Sequence, residues 1–386
     1  MKKIVMITPS LGMGGMERVL VNYANLFVRN GYDVTVLNLT YHDEALVAGF
    51  DERVHYQAYY TPIKNLFKAR LRDIIRGKFR LCSFVKWIRK HKAEYLYKIF
   101  ISESYDIEIA FFGGITAKII SGSTNKNAKQ FAWIHSANIQ GLINDIGNEA
   151  DFCNTYNAIE NIICVSSEIK SKLSPLLQEK RLKILHNPHD TKKIRSLAKE
   201  HVELEQGRIN LMNVSRLDDK SKGFIRLLNV CKRLNDAGIA YNLWIVGDGA
   251  DSEKIKAHSN DLQLKNVYFL GQQNNPYKYI AASDLYVCSS YYEGFSMTMM
   301  EAVILAKPII TTNVSGAIEM LGNSQYGMVV ENSEEGLFEG LKNILTDEKL
   351  YRHYCGMAKL RKDHFNEDKI IKEFETLAFE DTVCHS

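Results

Sequence analysis

Two glutamates, Glu293 and Glu301, stand eight residues apart in a stretch whose pattern predicts a strand followed by a helix. Residues 283–289 are typical of a short buried strand, and residues 296–306 are typical of a helix. Gly294 then lies in the turn between them. Two carboxylates on either side of such a turn could bind a ligand that carries both hydroxyl groups and an anionic group.

The start of this helix offers a second binding element. Its first free backbone N–H groups, near Phe295, Ser296 and Met297, point out of the N-terminus and favour anionic oxygens such as those of phosphate. Glu301, about a turn and a half further along, could accept hydrogen bonds from paired hydroxyls such as those of a ribose. Glu293 would contact whatever lies beyond the phosphates. A single glutamate in a first helical turn more often only stabilises the helix dipole.

Two cations precede a second predicted helix. Arg216 follows a predicted strand over 210–214 almost directly, and Lys222 precedes a helix predicted over 223–236. A diphosphate would fit between them, because an arginine offers a planar fork of donors and a lysine a mobile point charge. Together they could neutralise the charge that builds on a departing diphosphate. The alternative is a solvated basic loop.

Three more residues are candidates for binding. His135 ends an apolar strand, where its imidazole could bind a sugar hydroxyl, although a single histidine is more often structural. Gly14 and Gly15 follow the first strand and could let the backbone approach a ligand closely, or could form only a tight turn.

The first loop also resembles the start of a dinucleotide-binding fingerprint, but the match fails. The third glycine of G-x-G-x-x-G would fall at Glu17. The next strand, predicted over 33–39, ends without the acidic residue that binds the ribose of NAD. A dehydrogenase is therefore disfavoured.

The alternation of strands and helices predicts an α/β fold with two Rossmann-like, doubly wound domains facing across a cleft. The first domain is predicted to contain a helix over 16–30 and strands over 3–8, 33–39, 107–112, 130–134, 161–165 and 182–185. The second is predicted to contain the helix over 223–236 and strands over 210–214, 241–246, 267–270, 285–288 and 308–312.

The predicted boundaries divide the chain into residues 1–190, 191–365 and a C-terminal helix within 366–386. A linker is expected over 187–201. All the candidate residues fall near the carboxyl ends of strands, where open α/β sheets bind ligands.

The composition is that of an ordinary globular protein, with 46% hydrophobic and 24% charged residues among 386. Its seven cysteines form no C-x-x-C pair, so the sequence predicts neither a zinc site nor a disulfide framework. The first apolar run is too short for a secretory signal, and no run approaches a membrane span. These features predict a cytoplasmic protein.

The positive charge is concentrated in one segment. Residues 64–98 contain twelve lysines and arginines and two acidic residues, so this segment carries +10, whereas the whole chain carries +4. Apolar residues recur within it at helical spacing, which predicts a basic amphipathic helix or helix pair that could bind an anionic membrane surface. The alternative is that its apolar face only packs on the first domain. No nucleic-acid partner is expected.

Three motifs together resemble the family 4 glycosyltransferases: GGMER from Gly14, SRL from Ser215 followed by Lys222-Gly223, and EGFSMTMME from Glu293. The resemblance covers nearly the whole chain and is weakest over residues 41–104. It implies the GT-B fold and a nucleotide-sugar donor, expected to be UDP-linked. The expected acceptor is a saccharide, carried on a lipid, in the synthesis of a bacterial surface polysaccharide such as capsule or lipopolysaccharide.

The resemblance also implies a role for each candidate. Arg216 and Lys222 would bind the donor diphosphate, Glu301 the ribose, and the backbone of residues 295–297 the phosphate and sugar. Glu293 would contact the donor sugar. In the donor-binding turns, Gly14 and Gly294 would allow close approach of the backbone.

His135 and Gly15 would complete the reaction centre. Family members transfer a hexose or N-acetylhexosamine with retention of anomeric configuration, and the leaving phosphate itself is proposed to accept the proton. No cofactor is expected. No metal is expected either, because the sequence has no Asp-x-Asp at a strand end. Ser215 stands where the family most often has glycine, a change that removes no charge.

Two other classes of function are compatible with the same fold. One is a second enzyme class: a nucleotide-sugar epimerase would release its sugar without an acceptor, and a glycan phosphorylase would need a pyridoxal-phosphate lysine site that the sequence does not show. A non-catalytic subunit that binds sugar nucleotides would be expected to have lost charged groups, whereas the four candidate charged residues, Arg216, Lys222, Glu293 and Glu301, are all present.

Overall fold

The structure is a computed structural model that describes residues 1–12, 15–40, 44–59 and 85–379. These residues form two compact units. The first consists of Met1–Pro188 together with the C-terminal stretch that begins at Glu367, and the second of His189–Asn366.

The described part of the first unit contains a seven-stranded sheet in the order β3-β2-β1-β4-β5-β6-β7, and every neighbouring pair is parallel. Its strands are β1 Lys3–Thr8, β2 Asp33–Asn38, β3 His55–Ala58, β4 Ile107–Ala110, β5 Lys129–Ile134, β6 Asn161–Cys164 and β7 Leu182–Ile184. Its helices are α1 Gly15–Arg29, α2 Glu44–Val47, α3 Ala93–Phe100, α4 Ile115–Ile120, α5 Ile139–Ile146, α6 Glu149–Asn157 and α7 Ser167–Leu173. Residues 85–90 are also helical, and residues 179–181 form a turn of 3₁₀ helix.

The second unit contains a six-stranded parallel sheet in the order β10-β9-β8-β11-β12-β13. Its strands are β8 Ile209–Val214, β9 Tyr241–Val246, β10 Val267–Gly271, β11 Leu285–Cys288, β12 Ile309–Thr312 and β13 Met328–Val330. Its helices are α8 Thr191–Leu197, α9 Asp219–Lys222, α10 Phe224–Asp236, α11 Ser252–Asp261, α12 Tyr277–Ala282, α13 Met297–Ile304, α14 Ala317–Leu321, α15 Glu334–Thr346 and α16 Glu348–Arg361. The C-terminal helix, α17 Glu367–Phe379, belongs to the first unit.

The predicted α/β fold is confirmed. Both ends of each predicted strand lie within two residues of the ends of an observed strand. Central strands such as β4, β6 and β11 are buried along their whole length, as expected for parallel strands that are covered on both faces. Two edge strands, β3 and β13, were not predicted because their residues are only partly buried and lack a continuous apolar run.

The prediction of a linker over 187–201 was wrong in its extent. Residues 191–197 form helix α8, whose first turn is capped by the Asp190 side chain, which accepts a hydrogen bond from the Lys193 backbone N–H. Helix α8 packs against α12 and α13, so it is an integral part of the second unit. The predicted helix over 296–306 is also shorter, because the chain turns at Ala306, whose φ is +55°.

Helix α17 completes the core of the first unit. Its Phe374 ring is fully buried and lies 4.6 Å from the ring of Phe27 on α1 and 5.2 Å from that of Phe131 on β5. An ion pair of 2.7 Å between Arg29 and Glu367 joins the two helices at the surface. The last described helix of the chain therefore packs on the first.

We expect the substitution Phe374→Ala to lower the free energy of unfolding of the first unit by about 3 to 5 kcal/mol, because it leaves a cavity among aromatic rings. Urea unfolding measures this loss, and Lys372→Ala, at an exposed position of the same helix, serves as the control. Equal stability of the two variants would show that α17 contributes little to this core.

Candidate active site

The candidate site of the second unit lies where the order of its strands reverses. Strands β8 and β11 are neighbours in the sheet, and their register pairs Leu285 with Leu211, which places their ends, Val214 and Cys288, level. In the strand order, β9, the strand that follows β8 in the chain, lies on one side of this pair. The strand that follows β11, β12, lies on the other side. The loops that follow them flank a crevice of the kind in which α/β sheets bind ligands.

Hydrogen bonds join these two loops directly. The Tyr291 backbone N–H donates to the Ser221 carbonyl over 2.8 Å. The Ser289 hydroxyl donates to the Lys222 carbonyl over 2.9 Å. Hydrogen bonds therefore hold the loop that carries Lys222 beside the loop that carries Glu293.

Lys222 and Glu293 form an ion pair at this junction. The Lys222 Nζ lies 2.7 Å from Glu293 Oε1, and the Ser290 hydroxyl donates to the same oxygen over 2.7 Å. The two side chains are only 19% and 10% exposed, respectively. Because removing charges from water is costly, a largely buried pair at a strand end is more readily explained by function than by stability. The lysine has three N–H donors, so it can pair with Glu293 and still bind an anionic oxygen.

Gly223 makes this arrangement possible. Its φ of +65° is left-handed, and a Cβ atom there would lie 2.4 Å from the Ser289 carbonyl oxygen. A glycine therefore lets the start of α10 approach the loop after β11 closely enough for Lys222 to reach Glu293.

Arg216 lies on the loop between β8 and α9, upstream of Lys222, and is exposed. Its side chain is 62% exposed, and its Nη2 lies 3.5 Å from Asp218 Oδ2. The backbone beside it is fixed by a second close approach, because a Cβ atom on Gly247 would lie 1.9 Å from the Ser215 carbonyl oxygen. Arg216 is thus an exposed cation on a closely packed turn.

The other predicted residues of this unit form the start of α13. Ser296 is the N-cap, and its hydroxyl accepts a long hydrogen bond of 3.5 Å from the Met299 N–H. Phe295 is buried with its ring 6.2 Å from that of Phe365, which anchors the turn. Gly294 is partly buried between Glu293 and this anchor. Met297, partly buried, is the first residue of the helix.

Glu301 lies inside the protein on the same helix, only 3% exposed. Nearby, burial raises the pKa of Tyr286, and the carboxylates of Glu301 and Glu293 act in the same direction. Both predicted glutamates therefore lie close enough to the Tyr286 hydroxyl to influence its ionisation.

His135 belongs to the first unit, at the end of β5. Its Nε2 donates to the Phe111 carbonyl over 2.9 Å, while its Nδ1 is buried with no partner among the described residues. The ring lies against those of Phe111 and Phe112, and burial lowers the pKa of the imidazole to about 4. His135 is thus a neutral imidazole with one acceptor nitrogen available for a hydroxyl.

Of the two glycines predicted in the first loop, the structure describes only Gly15. Gly14 lies outside the described residues. Gly15 is the first residue of α1, directly after that loop. Among the described residues, no group of three or more His, Cys, Asp or Glu side chains is placed to hold a metal ion.

Sequence reasoning missed two residues that contact this site. Ser290, which donates to Glu293, is signalled only by a pair of serines after a buried strand. Arg226, which donates to the backbone of the same loop, is signalled by a charged residue within the apolar stretch FIRLL. Both signals are weak because polar residues also occur at such positions without a role.

We expect Gly223→Ala to destabilise the second unit more than Gly238→Ala, at the other end of α10. Both positions have left-handed φ, +65° and +71°, so both substitutions cost about 1 kcal/mol of backbone strain. Only the Cβ at position 223 meets another group, which adds roughly 1 to 3 kcal/mol. Thermal unfolding compares the variants, and equal losses would contradict the close approach described above.

The lowered pKa of His135 predicts a pH dependence of stability. As the pH falls from 6.5 toward 4, the histidine of the unfolded chain binds a proton before the buried one does. Stability is therefore lost across this window, by about 3 kcal/mol for the full shift. An NMR titration of the imidazole, assigned by its absence in His135→Asn, measures the pKa. A value near 6.5 would show that the ring is solvated.

Part of the chain matches a known protein family. A model of the group 1 glycosyl transferases matches residues 195–360. A relative from Campylobacter jejuni, N-acetylgalactosamine-N,N'-diacetylbacillosaminyl-diphospho-undecaprenol 4-alpha-N-acetylgalactosaminyltransferase, is 32% identical over 238 residues, which cover 57% of this chain and 64% of that protein. The match thus spans just under two thirds of that relative's length. An uncharacterized glycosyltransferase from Haemophilus influenzae is 25% identical over 97% of this chain and 99% of its own.

A solved structure supports the fold over the whole chain. The Anabaena protein HepE, crystallised in complex with UDP and glucose, superposes with a TM-score of 0.71 at 16% identity. The superposition covers 98% of this chain and 100% of HepE. The chain therefore has the GT-B fold, and its residues 195–360 are similar to the group 1 glycosyltransferases.

Proposed function

We propose that this protein is a retaining glycosyltransferase that moves a hexose or N-acetylhexosamine from a UDP-sugar to a lipid-linked saccharide, in the synthesis of a bacterial surface polysaccharide. The observation that carries the proposal is the buried pair of Lys222 and Glu293 at the point where strand order reverses. The Campylobacter relative, named for a diphospho-undecaprenol acceptor, supports the lipid carrier, and the UDP in HepE supports the donor.

The donor diphosphate binds, in this proposal, between the two cations and the N-terminus of α13. Lys222 is fixed by Glu293, whereas Arg216 is exposed and can move onto a phosphate. The backbone N–H groups near Ser296 add a favourable dipole. Glu301, on the same helix α13, accepts hydrogen bonds from the ribose hydroxyls.

The reaction then requires stabilisation of charge rather than a strong base. The bond between the anomeric carbon and the diphosphate oxygen breaks, and the acceptor oxygen bonds to the same face of that carbon. Its proton passes to an oxygen of the leaving phosphate. Arg216 and Lys222 stabilise the negative charge of the diphosphate as it departs. We propose no metal, because these two cations and a helix N-terminus already oppose the diphosphate.

Glu293 positions this machinery, since one of its oxygens is occupied by Lys222 and Ser290. Its second oxygen can bind a hydroxyl of the donor sugar. His135 is proposed to bind a sugar hydroxyl as well, because its Nδ1 is a buried acceptor in a neutral ring. The backbone at Gly14 and Gly15 is proposed to approach the donor closely.

We expect Lys222→Ala and Glu293→Gln each to lower the rate of transfer by roughly 100- to 1000-fold, the effect of removing one preorganised charged group. The control is Lys220→Ala, two residues away on the same short helix but exposed. Steady-state assays with a panel of nucleotide sugars measure transfer, and circular dichroism verifies folding.

Near-normal turnover in both folded variants would refute the assignment of the site. Release of the sugar at the same rate with and without acceptor would instead favour an epimerase or hydrolase. Tight binding of UDP without turnover of any nucleotide sugar would favour a non-catalytic subunit.

We also propose that the first unit binds the inner face of the cell membrane through its basic segment, residues 64–98. Residues 64–84 lie outside the described residues. The described remainder has exposed lysines at 86, 90, 92 and 98. Beside them, Trp87, His91 and Tyr95 form a row of rings 4.5 and 5.4 Å apart.

A row of aromatic rings among cations suits the interface of an anionic bilayer, where aromatic residues sit at the level of the headgroups. No helix of the described ranges is both long and apolar enough to cross a membrane. A lipid-linked acceptor would give the protein a reason to bind there.

We expect the double substitution Lys86→Glu with Lys90→Glu to weaken binding to anionic vesicles, because each lysine near the surface contributes about 1 kcal/mol. Lys349→Glu with Lys359→Glu, exposed lysines of the second unit, provides a control of equal charge. Sedimentation with anionic and neutral liposomes measures binding. If both double variants lost binding to anionic liposomes equally, the proposed membrane surface would be contradicted. Equal binding of the wild-type protein to anionic and neutral liposomes would contradict it as well.

A further inference from the structure

Arg226 is a buried guanidinium that makes no ion pair with any described carboxylate. It is only 4% exposed and lies on α10, about one turn after Gly223. A buried charge is normally neutralised by an opposite charge, so its partners must be strong acceptors of another kind.

Those partners belong to the loop that follows β11. The Nη2 of Arg226 donates to the Ser289 carbonyl and, over 3.1 Å, to the Ser290 carbonyl. Its Nη1 donates to Asn332 Oδ1 over 2.8 Å. The guanidinium carbon lies 4.0 Å from the centre of the Tyr291 ring, a cation–π contact.

Further hydrogen bonds fix the same loop from the other side. The Ser290 carbonyl also accepts the Thr312 hydroxyl over 2.6 Å. The Asn332 side-chain amide donates to the Tyr291 carbonyl over 3.0 Å. Three successive residues are thus held by side chains from α10, the end of β12 and the segment after β13.

This loop carries the residues that define the candidate site. The Ser290 hydroxyl and Glu293 belong to it, and Lys222 immediately precedes Gly223, at the start of the helix that carries Arg226. Displacement of the loop relative to α10 would therefore separate Glu293 from Lys222. The Arg226 side chain joins α10 to this loop.

We propose that Arg226 is a positioning residue, whose guanidinium holds the backbone of residues 289–291 against α10 so that Glu293 stays paired with Lys222. The inference rests on the proposed function, because it assigns a role in the site that is proposed for transfer. Arg226 is nearly inaccessible to solvent, so it acts through the loop rather than on the substrate.

An arginine is required for geometric reasons. Its planar fork directs two nitrogens toward three oxygens while its face lies on an aromatic ring, and an ammonium group cannot do both. Burial lowers the pKa of the Arg226 guanidinium from its usual value, but a guanidinium remains protonated in proteins.

The test compares Arg226→Lys with Arg233→Lys in the full-length protein. Arg233 lies on the same helix and also stacks on a ring, 3.8 Å from the centre of Phe338, but it pairs with Glu335 and not with the loop. Two quantities are measured: kcat and KM for the donor, and hydrogen exchange at the Tyr291 amide, which is bonded to the Ser221 carbonyl.

We expect Arg226→Lys to lower kcat by about 10- to 100-fold, the effect of a small displacement of reacting groups. KM for the donor should change by less than about threefold, and exchange at Tyr291 should rise. Arg233→Lys should change none of these. Unchanged kcat and unchanged exchange in a folded Arg226→Lys protein would overturn the proposal.

A milder variant covers the case in which Arg226→Lys does not fold. Asn332→Ala removes one acceptor of the guanidinium at an exposed position, and it should raise exchange at Tyr291 and lower kcat in the same sense. Unchanged exchange at Tyr291 together with unchanged kcat in Asn332→Ala would also overturn the proposal. If the wild-type protein transfers no sugar, the proposed function fails, and the exchange at Tyr291 still tests the role of Arg226.

Discussion

The pairing of β8 with β11 is the constraint on which the candidate site depends. These strands are parallel and adjacent although two other strands lie between them in the chain, so the loops that follow them leave the sheet side by side. One loop brings Lys222 and the other brings Glu293. The close approach at Gly223 and the hydrogen bonds between the loops then hold Lys222 and Glu293 within ion-pair distance. Ser290 and Arg226 further hold the residues of this junction in place.

The site concentrates charge where burial makes it costly. Lys222, Glu293, Arg226 and Glu301 are all largely withdrawn from water. Such groups weaken a fold unless their partners are well placed, and they are also strong electrostatic elements because little solvent screens them. The proposed departure of a diphosphate would benefit from the second property. Arg216 contrasts with them, since its side chain is mostly exposed.

The fold was largely predictable because its strands are continuous apolar runs separated by helical patterns. Strands β1, β9 and β11 end where their apolar runs end. The edge strands β3 and β13 were missed, because sheet pairing rather than sequence defines them. The linker prediction failed at α8, whose polar surface resembles a loop. Within the site, the types of Lys222 and Glu293 predicted a role, but only the structure shows that they contact each other. Arg226 could not be assigned from the sequence, since its partners are backbone carbonyls, which carry no sequence signal.

The position of α17 has a consequence for how this chain is synthesised and recombined. The first unit contains the first strand and also α17, the last described helix, so the second unit is an insertion within it. A nascent chain therefore cannot close the core around Phe27 and Phe131 until residues beyond Glu367 have left the ribosome. For the same reason, an exchange of the second unit between related chains would require two junctions, at 188/189 and 366/367, because a single crossover would pair an N-terminal core with a foreign C-terminal helix.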